Sequence, residues 1–507
     1  MKRWIGCVFF CLVGEIVFGQ ATYYVDSQAG NDQNPGTVPT KAWKSLAKVN
    51  AATFGPGDKI LFKAGSRYTG QLAPKGSGKE GRPIIIDVYG KGDRPRIDGE
   101  GLTAALKLHN VEYWEVNGLE ITNTGKKREP RSGVRVTIED FGTAHHIQLK
   151  NLYVHDVNGT NVKKDGGGEG IAWSNWGNKA KSRFDGLLIE NCYLVRTDRN
   201  GICGGGYGDR RNWFPSLNVV IRGNRIEDFG GDGIVPSGTD GCLIEHNVLK
   251  NGRQRAKDSA CGIWPFSCDN TIIQFNEVSG MKLNGGCDGQ GYDSDYNCRN
   301  TIFQYNYSHD NEGGFFMACD WAPKGDPSIV GNIGVIVRYN ISQNDGCPGG
   351  KTEGNPILFV GPVKNIQIYN NVIYVSKRMN NRLMVNTWVT ELGPPENISY
   401  YNNIFYAEPE TALGWVIGGS RNVVFENNIY IGNKFQPPPG VKGMTINPML
   451  VNPGSGKDGL ISLAGYKLKA ESPCIGAGRK VPDNGGRDFW GNPLPANQSP
   501  AIGVHEP

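Results

Sequence analysis

The chain has 507 residues, of which 38% are hydrophobic and 20% charged, and its formal net charge is +5. That balance excludes a disordered or membrane-embedded polypeptide. It also lacks the dense positive charge of a nucleic-acid binder, so no nucleic-acid partner is expected.

Lys2 and Arg3, followed by the short apolar stretch 4–13, have the pattern of a signal peptide over residues 1–20. Cys7 and Cys11 lack the small residue that precedes a lipidated cysteine, so simple export to the periplasm or exterior is expected. Nothing after this segment is long and apolar enough to span a membrane. Residues 21–34 read as an opening strand and turn. Trp43, Leu46, Ala47 and Asn50 lie at helical spacing, which predicts a helix over 42–51 that caps the first coil. Residues 58–72 and 83–97 read as the first coils.

A repeat then runs from 106 to about 431. Apolar runs end in asparagine at Asn117, Asn151, Asn191, Asn224, Asn247, Asn276, Asn306, Asn340, Asn371, Asn403 and Asn428, 23 to 40 residues apart. Periods of this length mark a solenoid. The runs are rich in Val, Ile, Phe and Tyr, so they read as strands. Asparagine suits the corners because it tolerates left-handed backbone, and its amide can bond along a stack of like residues. A second phrase starts with glycine: Gly170-Ile171, Gly201-Ile202, Gly233-Ile234, Gly262-Ile263, Gly291-Tyr292 and Gly314-Phe315. This predicts one parallel strand per coil, with its second position inward and its third and fifth outward. Insertions at 123–134, 173–184, 205–215 and 252–260 carry Trp176, Tyr207, Arg210, Arg211 and Trp213, residue types that grip sugars. Gln436–Gly440 (Q-P-P-P-G) marks a boundary. Residues 21–440 are expected to form the solenoid, and 441–507 a cap packed along it. Cys203, Cys261, Cys319 and Cys474 read as small buried hydrophobes, with a Cys287–Cys298 or Cys261–Cys268 bridge as an alternative.

One coil departs from the repeat. Asp293 and Asp295 occupy its third and fifth strand positions, about 7 Å apart at Cα, where other coils carry apolar or small residues. Asp288 precedes them. The next coil brings His309, Asp310 and Glu312 to its turn and Asp320 to its strand end, and earlier coils bring Asp232 and Asp258. Stacked at about 4.8 Å, these groups are predicted to converge on one groove. Glycosidic hydrolysis needs two carboxyl groups, and crowding raises the pKa of one so that it keeps its proton. Ca²⁺ binding and a solvated polar turn are the alternatives. Trp264, Trp321 and Phe266 are candidate sugar platforms, whereas Trp173 takes an inward position and reads as core.

Over about residues 23–440 these phrases resemble the right-handed parallel β-helix carbohydrate-active proteins, which include polysaccharide lyases and glycoside hydrolases. D-G-Q-G-Y-D-S-D and S-H-D-N-E-G-G are similar to family 9 polysaccharide lyases, whose D-G-F phrase precedes a lysine base and a Ca²⁺-binding turn. Here Asp293 or Asp295 stands where that lysine would be, and Lys282 lies upstream of the strand. The D-D and G-H-G phrases of polygalacturonases are absent. The resemblance therefore implies an all-β, right-handed parallel β-helix with an N-terminal capping helix. It is expected to be an exported, monomeric glycoside hydrolase on a polysaccharide or oligosaccharide. Asp293 and Asp295 would be the acid and base, assisted by Asp288 and Glu312. His309, Asp310, Trp264, Asp232 and Trp321 would contact substrate. No cofactor is expected, with Ca²⁺ left open. A Ca²⁺-dependent lyase and a non-catalytic glycan-binding solenoid are the alternatives.

Overall fold

Each regular coil contributes three short strands, as in Ile302–Gln304, Tyr307–His309 and Gly314–Cys319. Each strand pairs in parallel with its counterpart in the next coil. The computed structural model describes residues 19–507 except 285–286, 322–324, 348–353, 380–382, 410, 433, 436–437, 439 and 441. The signal-peptide segment to residue 18, with Cys7 and Cys11, and much of the Q-P-P-P-G boundary lie outside the described residues. Among the described residues the strands form an 18-stranded sheet, a 13-stranded sheet and a third face in sections of five and four strands. Isolated bridges from Ile234 to Ile263 and from Ile263 to Tyr292 join the two sections of that third face. This is the parallel β-helix that the repeat predicts.

The strand period of two sorts the third face. Ile171, Ile202, Ile234, Ile263, Tyr292, Phe316, Ile357 and Val385 stack in one inward column, and all are fully buried. The column corrects one alignment made from the sequence. Gln290 pairs with Gly314 and Tyr292 with Phe316, so Phe316, not Phe315, takes the second position, and Met317 takes the third. The Gly314 phrase is offset by one residue because its glycine leads the strand one position earlier.

The corner between the first two sheets also departs from expectation. The eight asparagines from Asn224 to Asn428 form one buried ladder. Each backbone N–H and side-chain amide donates to the side-chain oxygen of the next, as Asn276 does to Asn306 at 3.0 and 3.1 Å. These asparagines are not the left-handed residues. That conformation falls on the residue before, including His246, Phe275, Tyr305 and Tyr339. Asn151 and Asn191 are themselves left-handed, and Leu152 and Cys192 follow them into the buried position. The sequence phrase thus mixes two corner positions.

The N-terminal helix is Leu46–Ala51, shorter than the spacing suggests, because the Ser45 side chain accepts from the Lys48 N–H and starts it there. Leu46 and Val49 are buried in the main core, and Trp43 instead bridges Val25 in extended backbone. The segment after 442 lies along the outer face of the second sheet. There Leu450, Leu463, Tyr466 and Ile502 cluster with Tyr307, Ile341, Val372 and Ile404. Tyr307 also donates its hydroxyl to the Gly456 carbonyl at 2.7 Å. No described helix is long and apolar enough to cross a membrane.

Cys261, Cys268, Cys287 and Cys298 are all free thiols, which corrects the two bridge alternatives. Cys261 donates toward Gln290 Oε1 and Cys268 toward the Pro236 carbonyl. A reductant is therefore expected to leave the thermal midpoint, followed by circular dichroism, unchanged. A clear drop would mean that a bridge forms.

Candidate active site

The outward column of the third face runs Cys203, Val235, Trp264, Asp293, Met317, Leu358. Its members form a satellite apolar cluster, and Asp293 is the charge set within it. Asp293 and Asp295 do point outward, but Asp293 is not at the surface. It is 3% exposed, and its Oδ1 is buried without a hydrogen-bond partner. Asp295 and Asp288 are half-buried on either side of it.

Burial raises the pKa of all three aspartates. Asp293 is pushed well above the carboxylate range, first by burial and then by Asp295 and Asp288. Asp295 is pushed up to about 6, burial outweighing the Cys319 thiol and the Tyr296 N–H that bond to it. The Cys319 Sγ donates to Asp295 Oδ1 at 2.9 Å and the Tyr296 N–H at 2.7 Å. Asp293, Asp295 and Cys319 bring one ligand atom each within 4.8 Å of one another. A thiol in that set does not fit Ca²⁺, which takes oxygen ligands only.

A cavity of about 260 Å³ opens at the Asp288 side of the cluster; Asp288 lines it with Ser259, Cys319, Trp321, Leu358 and Trp388, whereas Asp293 and Asp295 lie behind that wall. Trp321 is 53% exposed and presents a ring to this space. A second cavity, about 340 Å³, holds Asp320, Lys364 and Arg421 but none of the three clustered aspartates. Asp320 turns to that side and accepts from the Asn332 N–H at 3.2 Å.

Asp232 joins the cluster from two coils away as a buried anchor. Its Oδ1 accepts from the Cys261 N–H and from Trp264 Nε1, both at 2.9 Å. Its Oδ2 lies 3.3 Å from Arg199 and 3.6 Å from Lys163. This corrects the role expected of Trp264. Its ring is 8% exposed and covered by the Lys163 ammonium at 4.7 Å, so it is no open sugar platform. Phe266 packs edge-on against Trp264 and Tyr296, and Trp173 is core as expected.

His309 and Asp310 are not brought to this site. They sit on the outer face of the second sheet, where the His309 ring stacks on Tyr307. His309 Nδ1 meets Asp310 at 2.9 Å and Nε2 meets Glu277 at 3.4 Å. Burial opposes the imidazolium, but these two carboxylates hold the His309 pKa up at about 9. Glu312 lies at the turn between the two faces. It pairs with Lys282 at 2.9 Å and accepts from the Leu283 N–H. The convergence expected from stacking fails here because successive turns of one coil face different sides of the helix.

Two site residues escaped the sequence. Trp388 aligns with Val360 at the end of its strand, a position that only the register reveals. Lys163 comes from a loop, 158–168, that the repeat spacing did not separate from its neighbours. The signal for it was Lys163-Lys164 followed by Gly166-Gly167-Gly168 between two strands.

No protein-family model matches the chain. It is 28% identical to a lacto-N-biosidase of Bifidobacterium longum subsp. longum, over 93% of this chain and 35% of that protein. It is 37% identical over 68 residues to alpha-1,3-galactosidase A of Akkermansia muciniphila, which is 13% of this chain and 11% of that one. The crystal structure of a GH136 lacto-N-biosidase from Eubacterium ramulus superposes with a TM-score of 0.59 and 26% identity, covering 78% of this chain and 68% of that one. The chain thus spans about a third of the length of the Bifidobacterium relative. The resemblance to parallel β-helix carbohydrate-active proteins holds in sequence and in fold.

Proposed function

We propose that this chain is an exported glycoside hydrolase that cleaves an oligosaccharide, of the lacto-N-bioside type for which its relatives are named. The observation that carries this is three crowded aspartates beside a cavity walled by Trp321 and Trp388. Hydrolysis requires one protonated and one ionised carboxyl at the sugar. Three buried acids that disfavour one another's charge keep at least one proton in the cluster at neutral pH. Exposure refines the pair expected from the sequence. Asp288 and Asp295 are less deeply buried than Asp293, and Asp288 lines the cavity, so these two are the carboxyls offered to a glycosidic bond and Asp293 beneath them tunes their ionisation. Trp321 and Trp388 would stack on the sugar rings. Export is part of the proposal and rests on the basic and apolar pattern of residues 2–13.

The lyase alternative needs a base that takes the proton beside a uronate carboxyl, the role of the lysine in the family 9 lyases that the sequence resembles. Lys163 supplies none: burial opposes its charge, but Asp232 and Asp288 raise its pKa above the usual lysine value. The purified protein should be incubated with lacto-N-bioside oligosaccharides and with uronate polymers, with and without chelator. Released reducing sugar without ultraviolet absorbance, unchanged by chelator, is the expected result. An ultraviolet-absorbing product that the chelator abolishes would make the protein a lyase, and binding without product would make it a lectin-like solenoid.

A further inference from the structure

The loop 158–168 leaves the second sheet after Val157 and returns to the third at Glu169. It does not simply fold back on its own coil. Asn161 Nδ2 donates to the Arg255 carbonyl at 3.2 Å, and the Lys163 N–H donates to Asp258 Oδ2 at 2.6 Å. Both acceptors belong to the insertion at 252–260, so two insertions clasp each other above the outward column. Arg253, fully buried, holds that second insertion by donating to the Asp258 carbonyl at 2.9 Å and to the Cys287 carbonyl. The clasp therefore reaches the backbone beside Asp288.

What the clasp delivers is one ammonium group. Lys163 Nζ lies 3.6 Å from Asp232 Oδ2 and 4.7 Å from the centre of the Trp264 ring. The charged and titratable groups facing it are Asp232, Arg199, Asp288 and Cys261. Its field also reaches Asp293 and Asp295. Arg199 and Arg253 are the other cations nearby, but Arg199 is shared between Asp232 at 3.3 Å and Asp258 at 3.2 Å, and Arg253 bears on Asp288. Lys163 is thus the cation that bears on all three aspartates of the cluster.

On the basis of the glycosidase reading above, we infer that Lys163 is a positioning residue: its ammonium, carried on a backbone that Asp258 pins, is the counter-charge that lets Asp288 and Asp295 carry a negative charge between them. Without it, burial and mutual repulsion would hold the cluster's protons to higher pH, with Arg253 still acting on Asp288, so the base or nucleophile would form later in the titration. An opposite charge within about 4–6 Å lowers a carboxyl pKa by about 1 to 3 units. Screening through a partly open loop argues for the low end of that range.

The test is the pH profile of kcat/KM for wild type, Lys163→Met, Lys163→Arg and Asp258→Asn, each checked for folding by circular dichroism. In Lys163→Met the acid limb should move up by about one unit, giving about a tenfold loss at a pH one unit below the wild-type limb. KM should stay nearly unchanged, and activity should recover at higher pH. Lys163→Arg should restore the limb, and Asp258→Asn should move it part of the way. An unmoved limb overturns the proposal, as does a raised KM at every pH, which would place Lys163 on the substrate. A second readout needs no substrate: the ¹³C carboxyl titration of Asp295, assigned by its loss in Asp295→Asn, should shift upward in Lys163→Met. A wild-type protein that releases no sugar would sink the glycosidase reading alone, and the carboxyl titration would still decide the role of Lys163.

Discussion

Asp295→Asn is expected to lower oligosaccharide turnover by about 10³-fold, the scale of a lost acid–base or nucleophilic carboxyl, and to make the folded protein more stable at pH 7. The two effects share one cause. Burial pushes the Asp295 pKa from its ordinary 3.8 up to about 6. A carboxyl whose pKa is raised by folding favours the fold while protonated, and that contribution is fully present below about pH 3.8. It is lost as the pH rises through about 6, so at pH 7 the ionised Asp295 weighs against folding. Asparagine does not ionise, and its side-chain oxygen can still accept from the Cys319 thiol and the Tyr296 N–H. The gain at pH 7 should be on the order of 1 to 3 kcal/mol and should shrink toward zero near pH 4. Urea midpoints at both pH values, beside kcat, are the measurement. A variant that keeps activity within tenfold, or that loses stability at pH 7, would remove Asp295 from the proposed chemistry. Asp288→Asn should match it in lost activity. Asp293→Asn should instead move the pH profile, because the buried carboxyl acts through its neighbours.

The β-helix was legible because its determinants are local. A strand needs apolar residues at every second position, and a corner needs a residue that accepts left-handed backbone, so both leave marks in a single coil. The carboxylate cluster was legible for a related reason: Asp293 stands where Val235 and Trp264 stand in the preceding coils, and a charge in an apolar column is visible once the columns are aligned. Three things were not legible. The depth of Asp293 depends on loops that come from other coils. The face taken by His309 and Asp310 depends on where the coil bends between its second and third strands. Lys163 reaches Asp232, 69 positions later in the chain, through a clasp between two insertions. Sequence spacing fixes which residues share a coil, whereas the contacts that tune the site run between insertions, for which the repeat gives no register.

Asn306→Ala is expected to cost on the order of 4 kcal/mol, which is large for one small side chain. The side chain of Asn306 is fully buried and makes four hydrogen bonds. Its Nδ2 donates to the Ile273 carbonyl at 2.8 Å and to Asn340 Oδ1 at 3.0 Å. Its Oδ1 accepts from the N–H and the side-chain amide of Asn276, at 3.0 and 3.1 Å. Alanine leaves two donors and a carbonyl without these partners inside the corner, and each orphaned group costs about 1 to 3 kcal/mol. The surface offers a control. Asn300 Nδ2 donates to Asn270 Oδ1 at 3.1 Å in an exposed ladder, and Asn300 is itself left-handed. Asn300→Gly keeps that backbone conformation and should change stability by no more than about 0.5 kcal/mol. Urea unfolding of both variants separates buried from exposed ladders. A loss below about 1 kcal/mol in Asn306→Ala would mean that water enters the corner and replaces the amide. The position of the break adds a functional consequence. Asn276 and Asn306 flank the coil that carries Asp288 to Asp295, and in a stack each coil is stabilised mainly by its neighbours. Asn306→Ala should therefore lose turnover on heating before the main unfolding transition, because the coil that carries the aspartates loosens while the stack on either side still holds.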